Sequence, residues 1–503
     1  MKEKILLYID GWFLHFAIGT HLQKKLNCDL FGAIDIDVKA KQFFQSQDIL
    51  QFKKTWYLRD YFTTSDDSPD IEYLKKFEGK YKIKLWDIIY SDKTFYSDIH
   101  YKFTSDQILS LLEKECKLFE KILDESQPNY FFTMVSTNHY QRLLYELCKS
   151  KNIHVLMLTP VKFARRLMIS ENTTKLDKNI KLPKNNLNVR SASELQGYLK
   201  NFDPSYQIKE LERKAYTNNS FKRYESIFKF FITPESDYSK KYYSNYGFTK
   251  SRVLWEKIMR FLKRKYRKSF IDKNTLKNLD KYQPFVYYPL HYEPERILLV
   301  DARFYDNQLS VISNIAKSLP VGYSLFVKEH PMMKMVGWRP TSYYKSIINL
   351  PNVNLVHPSI SSEEIIKKCS LVITVAGTAG QEAAFYGKPV ILFTEQLYSK
   401  IPFVKKLNKI EDLPDLITTC LNDKPEISSL NEFVNLTNEN SFEFDLQHIA
   451  AEFAFEFGYK GPRMEAKIQP EKLKSFLEKY SKEFEILVNE HIKKLEMIRN
   501  NLK

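Results

Sequence analysis

Glycine is scarce in this sequence, 13 of 503 residues, so a local glycine cluster carries more information than usual. Cysteine is scarcer. The five present (Cys28, Cys116, Cys148, Cys369, Cys420) are odd in number, far apart and without a C-x-x-C pair. That argues against a disulfide framework or a zinc site and fits a reducing cytosol. No stretch approaches the roughly 18 uninterrupted apolar residues of a membrane span. The opening MKEKILLYIDGWF has an apolar run that breaks at Asp10, too short for a secretory leader, so a cytoplasmic protein is expected. Neither α/β unit described below opens with G-x-G-x-x-G, which argues against a nicotinamide dehydrogenase. No D-x-D stands near a suitable strand, and neither a metal nor a resident cofactor is expected.

What is present is apolar and aromatic. Hydrophobic residues make up 43% and Phe, Trp and Tyr together 15%, more than a disordered chain carries. The length allows two or three domains. A formal net charge of +16 would attract nucleic acid, anionic lipid or a polyanionic product. A Lys-rich, solvated surface gives the same number.

Pattern divides the chain into two α/β units. Lys4–Ile9 reads as a strand, 13–26 as a helix and Leu30–Ile36 as a second strand. Asn129–Val135, Tyr140–Lys151 and Ile153–Thr159 continue as strand, helix, strand. This alternation predicts a parallel sheet in a Rossmann-like N-terminal domain, residues 1–195. Polar residues 172–245 read as helical insertion and linker, and 196–283 as the connection. Within it, RVLWEKIMRFLKRKYRK (252–268) sets Leu254, Trp255, Ile258, Phe261 and Leu262 on one helical face among Lys and Arg. Such a helix either lies on an anionic membrane or packs between domains with a solvated basic face, the second being preferred. The C-terminal unit, 284–440, has expected strands at Phe285–Tyr288, Ile297–Val300, Ser324–Lys328, Val353–Val356, Leu371–Val375 and Val390–Phe393. Its clearest helices are Asp306–Ser318 and Ser362–Cys369. Residues 441–503 end in a charged amphipathic helical tail.

Three constellations carry chemistry. In LVITVAGTAGQEAAFYGKPVILF a buried strand meets the turn Ala376-Gly377-Thr378-Ala379-Gly380 and a helix opens at once. Such a turn lies at the carboxyl end of a parallel sheet, where ligands bind, and free N–H groups at a helix start favour phosphate. Thr378 adds a hydroxyl and Glu382 an acceptor for sugar hydroxyls. A capping box from Thr378 to Gln381 fits the same residues but leaves the two glycines unexplained. SLFVKEHP ends a strand at Lys328 and sets Lys328 and His330 at the same sheet edge, where both would neutralise a leaving phosphate. His357-Pro358 lacks a flanking Lys and reads as structural. PLHYEPE gathers His291, Glu293 and Glu295 on a loop at the domain junction, either a rigid linker or a source of acid and base.

PLHYEPE, FYDNQLSVISNIAKSLP, VKEHPMMKMVGWRP and ITVAGTAGQEAAFYGKPV together resemble bacterial capsule polysaccharide biosynthesis proteins, relatives of the Kdo transferases that build capsule linkers. The likeness is dense over 284–395 and looser over 129–170. It implies a GT-B architecture, two Rossmann-like domains facing a cleft, with the acceptor on the N-terminal domain and a nucleotide-sugar donor on the C-terminal one. It also implies that His330-Pro331 and Gly377-Thr378 hold the nucleotide phosphate of the donor, CMP-Kdo being the first choice; Lys328, Ala379, Gly380, Glu382 and Glu295 join them as donor-binding candidates from the motifs themselves. Candidate catalytic groups are Asp10, His291 and Glu293, although turn duty explains Asp10 equally well. The expected activity is metal-independent transfer of a sugar to an oligosaccharide or glycolipid acceptor, with 252–268 as the segment through which any peripheral inner-membrane contact would be made. A CDP-glycerol-type glycerophosphotransferase shares this fold. A nucleic-acid-binding protein explains the charge but not the paired strand-end motifs, so no nucleic-acid partner is expected. A non-catalytic scaffold is the remaining alternative.

Overall fold

The computed structural model describes residues 2–36, 38–64, 67–96, 101–136, 138–177, 189–200, 232, 240–279, 284–457 and 468–501. Two sheets organise them. The first has seven strands: β1 (Glu3–Ile9), β2 (Cys28–Ile34), β3 (Lys54–Tyr57), β4 (Tyr130–Met134), β5 (His154–Pro160), β6 (Arg166–Ser170) and, from far down the chain, β13 (Phe442–Glu443). Their order is β13-β6-β5-β4-β1-β2-β3. The first five strands are parallel and reverse direction of growth between β1 and β4, the doubly wound arrangement. β1 is apolar from Ile5 to Ile9, where both its faces are covered. Ile5, Leu7 and Ile9 enter one core, and Leu6 and Tyr8 the other, as the two-residue period of a strand requires.

The second sheet takes β7 (Phe285–Pro289), β8 (Ser324–Lys328), β9 (Val353–Val356), β10 (Leu371–Thr374), β11 (Val390–Leu392) and β12 (Val404–Lys406) in the order β12-β11-β10-β7-β8-β9. All are parallel, and the switch point lies between β7 and β10. The fold is therefore two Rossmann-like units, as expected.

Several elements differ from the sequence reading. Ile297–Val300 is not a strand; Ile297–Asp301 forms a π-helical turn whose Leu298 and Leu299 are buried in the second unit. Short apolar runs do not reveal their period, and this one is held by the turn after β7. β6 and β13 add antiparallel strands at the edge of the first sheet. The segment read as a tail is helical, but Leu446–Glu456, Pro470–Lys479 and Ser481–Asn501 belong to the first unit. Phe453, Phe476, Leu487 and Ile498 pack into the same core as Ile5 and Leu7. The boundary drawn at 195 falls inside the helix Ala192–Lys200, whose Leu195 packs against the second sheet beside Phe285. Most of the expected helical insertion, 201–231 and 233–239, lies outside the described residues. The helix expected over 252–268 runs from Lys250 to Asn274, with the Thr249 hydroxyl accepting from Arg252 N–H at its start. No helix among the described residues is long and apolar enough to cross a membrane.

Candidate functional site

Each sheet ends its switch point toward the other. Arg296, after β7, donates from Nε to the Ser136 carbonyl after β4 at 2.7 Å and from Nη1 to Asp301 at 2.7 Å. Lys175 pairs with Glu395 at 2.9 Å, and Arg303 with Asp87, across the same gap.

On the first unit, β1 delivers Asp10. Its Oδ1 accepts the Trp12 N–H at 3.0 Å and its carbonyl the Phe13 N–H, closing a turn that sets Phe13 in the left-handed region at φ 56°. The turn reading of Asp10 is therefore correct as far as it goes. The carboxyl also stands without an ion pair among the described residues. Burial raises its pKa to about 6, the Asp35 charge adding and the Trp12 N–H opposing. Asp35, at the end of β2, is held by Tyr8 Oη at 2.8 Å, Tyr140 Oη at 2.6 Å and Arg59 Nε at 2.9 Å. After β5 the chain places Lys162, Ala164 and Arg165 at φ 65°, 51° and 49°, three non-glycine residues in a region such residues seldom occupy. Burial lowers the Lys162 pKa, while Asp301 and Glu295 of the second unit attract its charge. Beside Asp10, Trp12, Leu14, Met134, Pro160 and Ile449 surround a largely apolar cavity of about 320 Å³, with Lys162 and Arg165 in its wall.

On the second unit, His291 closes β7. Its backbone N–H donates to Gln308 Oε1 at 2.7 Å, and its ring Nε2 lies 3.3 Å from Thr374 Oγ1 and 3.4 Å from the Ala376 N–H. The imidazole thus bridges the ends of β7 and β10, and it is 5% exposed. Glu293 is tied to Arg339 and Gln308. The Arg339 guanidinium also donates to Glu329 at 2.8 Å and to the His291 carbonyl. This network occupies Glu293, which is consequently a positioning group and not a free acid or base. Arg339 was missed in the sequence; its sole signal is a lone arginine in GWRP. Glu295 lies 3.9 Å from His291 Nδ1 and favours the charged form of His330.

Lys328, 5% exposed, donates to Ser362 Oγ at 3.0 Å; burial lowers its pKa to about 8 against the pull of Glu382. His330 corrects an expectation. Burial depresses it to about 4, against Glu295 and with further lowering from His291, Arg339 and Lys328. It is therefore a neutral imidazole at pH 7 and not a cation. Nδ1 accepts the Met332 N–H at 3.2 Å, which assigns the proton to Nε2 and makes that atom a donor. Pro331 continues the turn, its carbonyl accepting from Lys334 N–H.

The turn after β10 gives a second correction. The capping box is absent: Gly377 is the cap residue, Thr378 the first helical residue, and no side chain caps the start. Ala379 is the second helical residue; the Gly380 N–H donates to the Gly377 carbonyl at 3.2 Å, which leaves the N–H groups of Thr378 and Ala379 for a ligand or water. Thr378 instead bonds Glu382, whose pKa burial raises while Thr378 and Lys328 oppose. The glycines have packing reasons. A Cβ on Gly377 would stand 2.8 Å from Thr374 Oγ1 and 3.3 Å from the His291 ring; one on Gly380 would stand 2.6 Å from Tyr398 Oη. The Tyr398 hydroxyl donates to the Gly377 carbonyl at 2.5 Å, fixing the turn. His357, read as structural, is fastened to Ser359 and to Asp272 Oδ1, the latter at 3.1 Å.

Comparison with solved structures returns the KpsC β-Kdo 2,7 transferase of Thermosulfurimonas dismutans at 14% identity, covering 75% of this chain and 96% of that one, TM-score 0.31. The KpsC β-Kdo 2,4 transferase of the same organism matches at 11%, covering 64% and 86%, TM-score 0.29. The UDP-GlcNAc 2-epimerase of Methanocaldococcus jannaschii matches at 12%, covering 85% and 94%, TM-score 0.23. A search of curated proteins finds no significant match. Residues 193–404, which hold His291, Lys328, His330 and the Gly377 turn, match the family model for capsule polysaccharide biosynthesis proteins.

Proposed function

We propose that the chain is a glycosyltransferase that moves a sugar from a nucleotide donor to a growing capsule or surface polysaccharide. One observation carries the reading. A carboxyl with a pKa near 6 sits at the first unit's switch point, while a lysine, a neutral imidazole donor and an uncapped helix start gather at the second. At pH 7 Asp10 is mostly ionised and basic enough to take a proton from an acceptor hydroxyl as it attacks the sugar's anomeric carbon. The bond from that carbon to the donor phosphate breaks, and the phosphate leaves with added negative charge. Lys328, the Nε2–H of His330 and the N–H groups at Thr378 and Ala379 are the groups suited to receive it. Glu382 and Glu295 suit sugar or ribose hydroxyls. His291 holds the two turns in register, and Arg339 holds Glu293 and the His291 loop.

The favoured donor is a CMP-sugar such as CMP-Kdo, from the resemblance of the His330-Pro331 and Gly377-Thr378 turns to those of CMP-sugar enzymes. The acceptor is an oligosaccharide or glycolipid, seated against the apolar cavity beside Trp12, and the enzyme works at the cytoplasmic face of the inner membrane. Calorimetric titration with CMP, UDP, GDP and CDP-glycerol tests the donor. Tightest binding of CMP is the expected result. Preference for UDP would remove the Kdo assignment, and preference for CDP-glycerol would make this a glycerophosphotransferase.

A further inference from the structure

The helix Lys250–Asn274 faces the opposite way from what its composition asks. Val253, Arg260, Arg264, Arg267 and Ile271 recur every three to seven residues and share one face. Val253 and Ile271 on it are buried, and Arg267 Nη1 donates to the Trp338 carbonyl at 2.7 Å. A Cβ on Gly337 would stand 3.3 Å from Arg260 Cγ and 3.9 Å from Arg264 Cβ. This side of the helix thus rests on the second unit, with the Arg260 and Arg264 side chains still exposed beside Gly337. The apolar side looks out: Trp255 is 63% exposed, Phe261 59% and Leu262 54%, with Leu254, Ile258 and Tyr266 also exposed. The expected packing of the apolar face is therefore not seen, whereas the basic residues are solvated as expected. Three turns of continuous exposed apolar surface form a patch, not the scattered singles of an ordinary surface.

The charge around the patch decides what covers it. Exposed Lys257, Lys263, Lys265 and Lys268 stand along and beside it, with Lys265 Nζ 4.9 Å from the centre of the Phe261 ring. The helix carries ten Lys and Arg against Glu256 and Asp272. A second copy meeting this face about a two-fold axis would set like charge against like. A bilayer with anionic headgroups offers apolar depth under the aromatic strip and negative charge to the flanking lysines. We infer that this helix docks the protein on an anionic lipid surface, apolar face down, with the second unit carried on its arginine face. The inference deepens the proposed membrane-side activity by naming the surface and its orientation, and it stands on observations separate from the donor site.

Sedimentation of the full chain with vesicles of phosphatidylcholine plus phosphatidylglycerol, against phosphatidylcholine alone, tests it. The protein pellets with the anionic vesicles, and less as salt rises. Trp255→Ser, Phe261→Ser and Leu262→Ser together lower partitioning about a hundredfold or more. Lys257→Glu, Lys263→Glu and Lys268→Glu remove the preference for anionic vesicles. Trp255→Phe retains pelleting but loses the blue shift in tryptophan emission that vesicles produce in the parent. These side chains lie outside the cores, so melting transitions stay cooperative. The inference is overturned by absence of pelleting, by pelleting indifferent to the apolar substitutions, or by a dimer that the same substitutions convert to monomer without lipid binding. CMP titration of the same variants is unchanged by any of these results, so loss of docking and loss of the donor reading are told apart.

Discussion

Arg296 Nε and the Ser136 carbonyl, 2.7 Å apart, join the turn after β7 to the turn after β4. Both partners are backbone-anchored at switch points, and Asp301 holds the guanidinium from its other side. The bond therefore fixes the separation of the Asp10 and His330 turns more directly than any packing contact. Arg296→Met should leave each unit folded while lowering kcat/KM with a smaller effect on nucleotide affinity. Arg296→Met loses the bonds to both Ser136 and Asp301, and about 1.5–3 kcal/mol for each hydrogen bond from a charged donor sets the scale of the effect. Steady-state kinetics set beside CMP titration separates the two quantities.

Asp10 gives a pH prediction. If it is the base, kcat/KM falls below an apparent pKa near 6, and Asp10→Asn abolishes turnover at every pH. Stability runs the other way. A carboxyl with a folded pKa raised above its unfolded value stabilises the fold below the unfolded pKa, and that contribution is lost as pH rises through about 6. Asp10→Asn should thus melt no lower than the parent at pH 8. A matching drop in Tm would make Asp10 a turn residue only.

Lys328→Ala and His330→Ala should each cost roughly ten- to 150-fold in catalytic efficiency, the equivalent of about 1.5–3 kcal/mol for a hydrogen bond to a charged phosphate. His357→Ala is the control, since its bonds to Ser359 and Asp272 are structural. It should lower Tm and leave kcat/KM within about threefold. Equal damage from His357→Ala and His330→Ala would move the donor site elsewhere.

Arg339→Met leaves Glu329 and Glu293 without their cation. Glu329 is 3% exposed, and breaking a buried pair from one side costs about 3–5 kcal/mol. Denaturant unfolding should show a loss of that order, with Arg339→Lys intermediate because an ammonium cannot serve both carboxylates and the His291 carbonyl at once. A loss below about 1 kcal/mol would mean that the network is not formed.

Gly377→Ala probes the turn. Its Cβ would press on Thr374 Oγ1 and the His291 ring, so the expected cost is about 1–3 kcal/mol of stability together with weakened CMP binding. Normal nucleotide affinity in a well-folded Gly377→Ala protein would exclude this turn from the donor site.

The strands covered on both faces were legible, Ser324–Lys328 and Val353–Val356 with their observed limits, whereas the short, partly exposed edge strands β3 and β12 were not read. Asp10, Lys328 and the Gly377 turn were legible as strand ends. The charge state of His330 was not, because burial sets it, with His291 and Arg339 from distant loops adding to the nearby Lys328. Arg339 was invisible for the same reason, its partners lying 10 and 46 residues away in sequence. Gly377 and Gly380 were noticed as room for a ligand; the side chains that also forbid a Cβ there, Thr374, His291 and Tyr398, cannot be inferred from the run of small residues.

β13 and the helices after it return to the first unit, and that return governs how the protein is made. The face of the first sheet carrying Ile5, Leu7 and Ile9 is finished by Phe453, Phe476 and Leu487. A nascent chain emerging from the ribosome therefore holds an incomplete first unit through synthesis of the entire second one. The N-terminal unit is the first begun and the last to close. Its uncovered apolar face is a binding surface for chaperones throughout that interval, and a chain released after residue 440 would keep that face open.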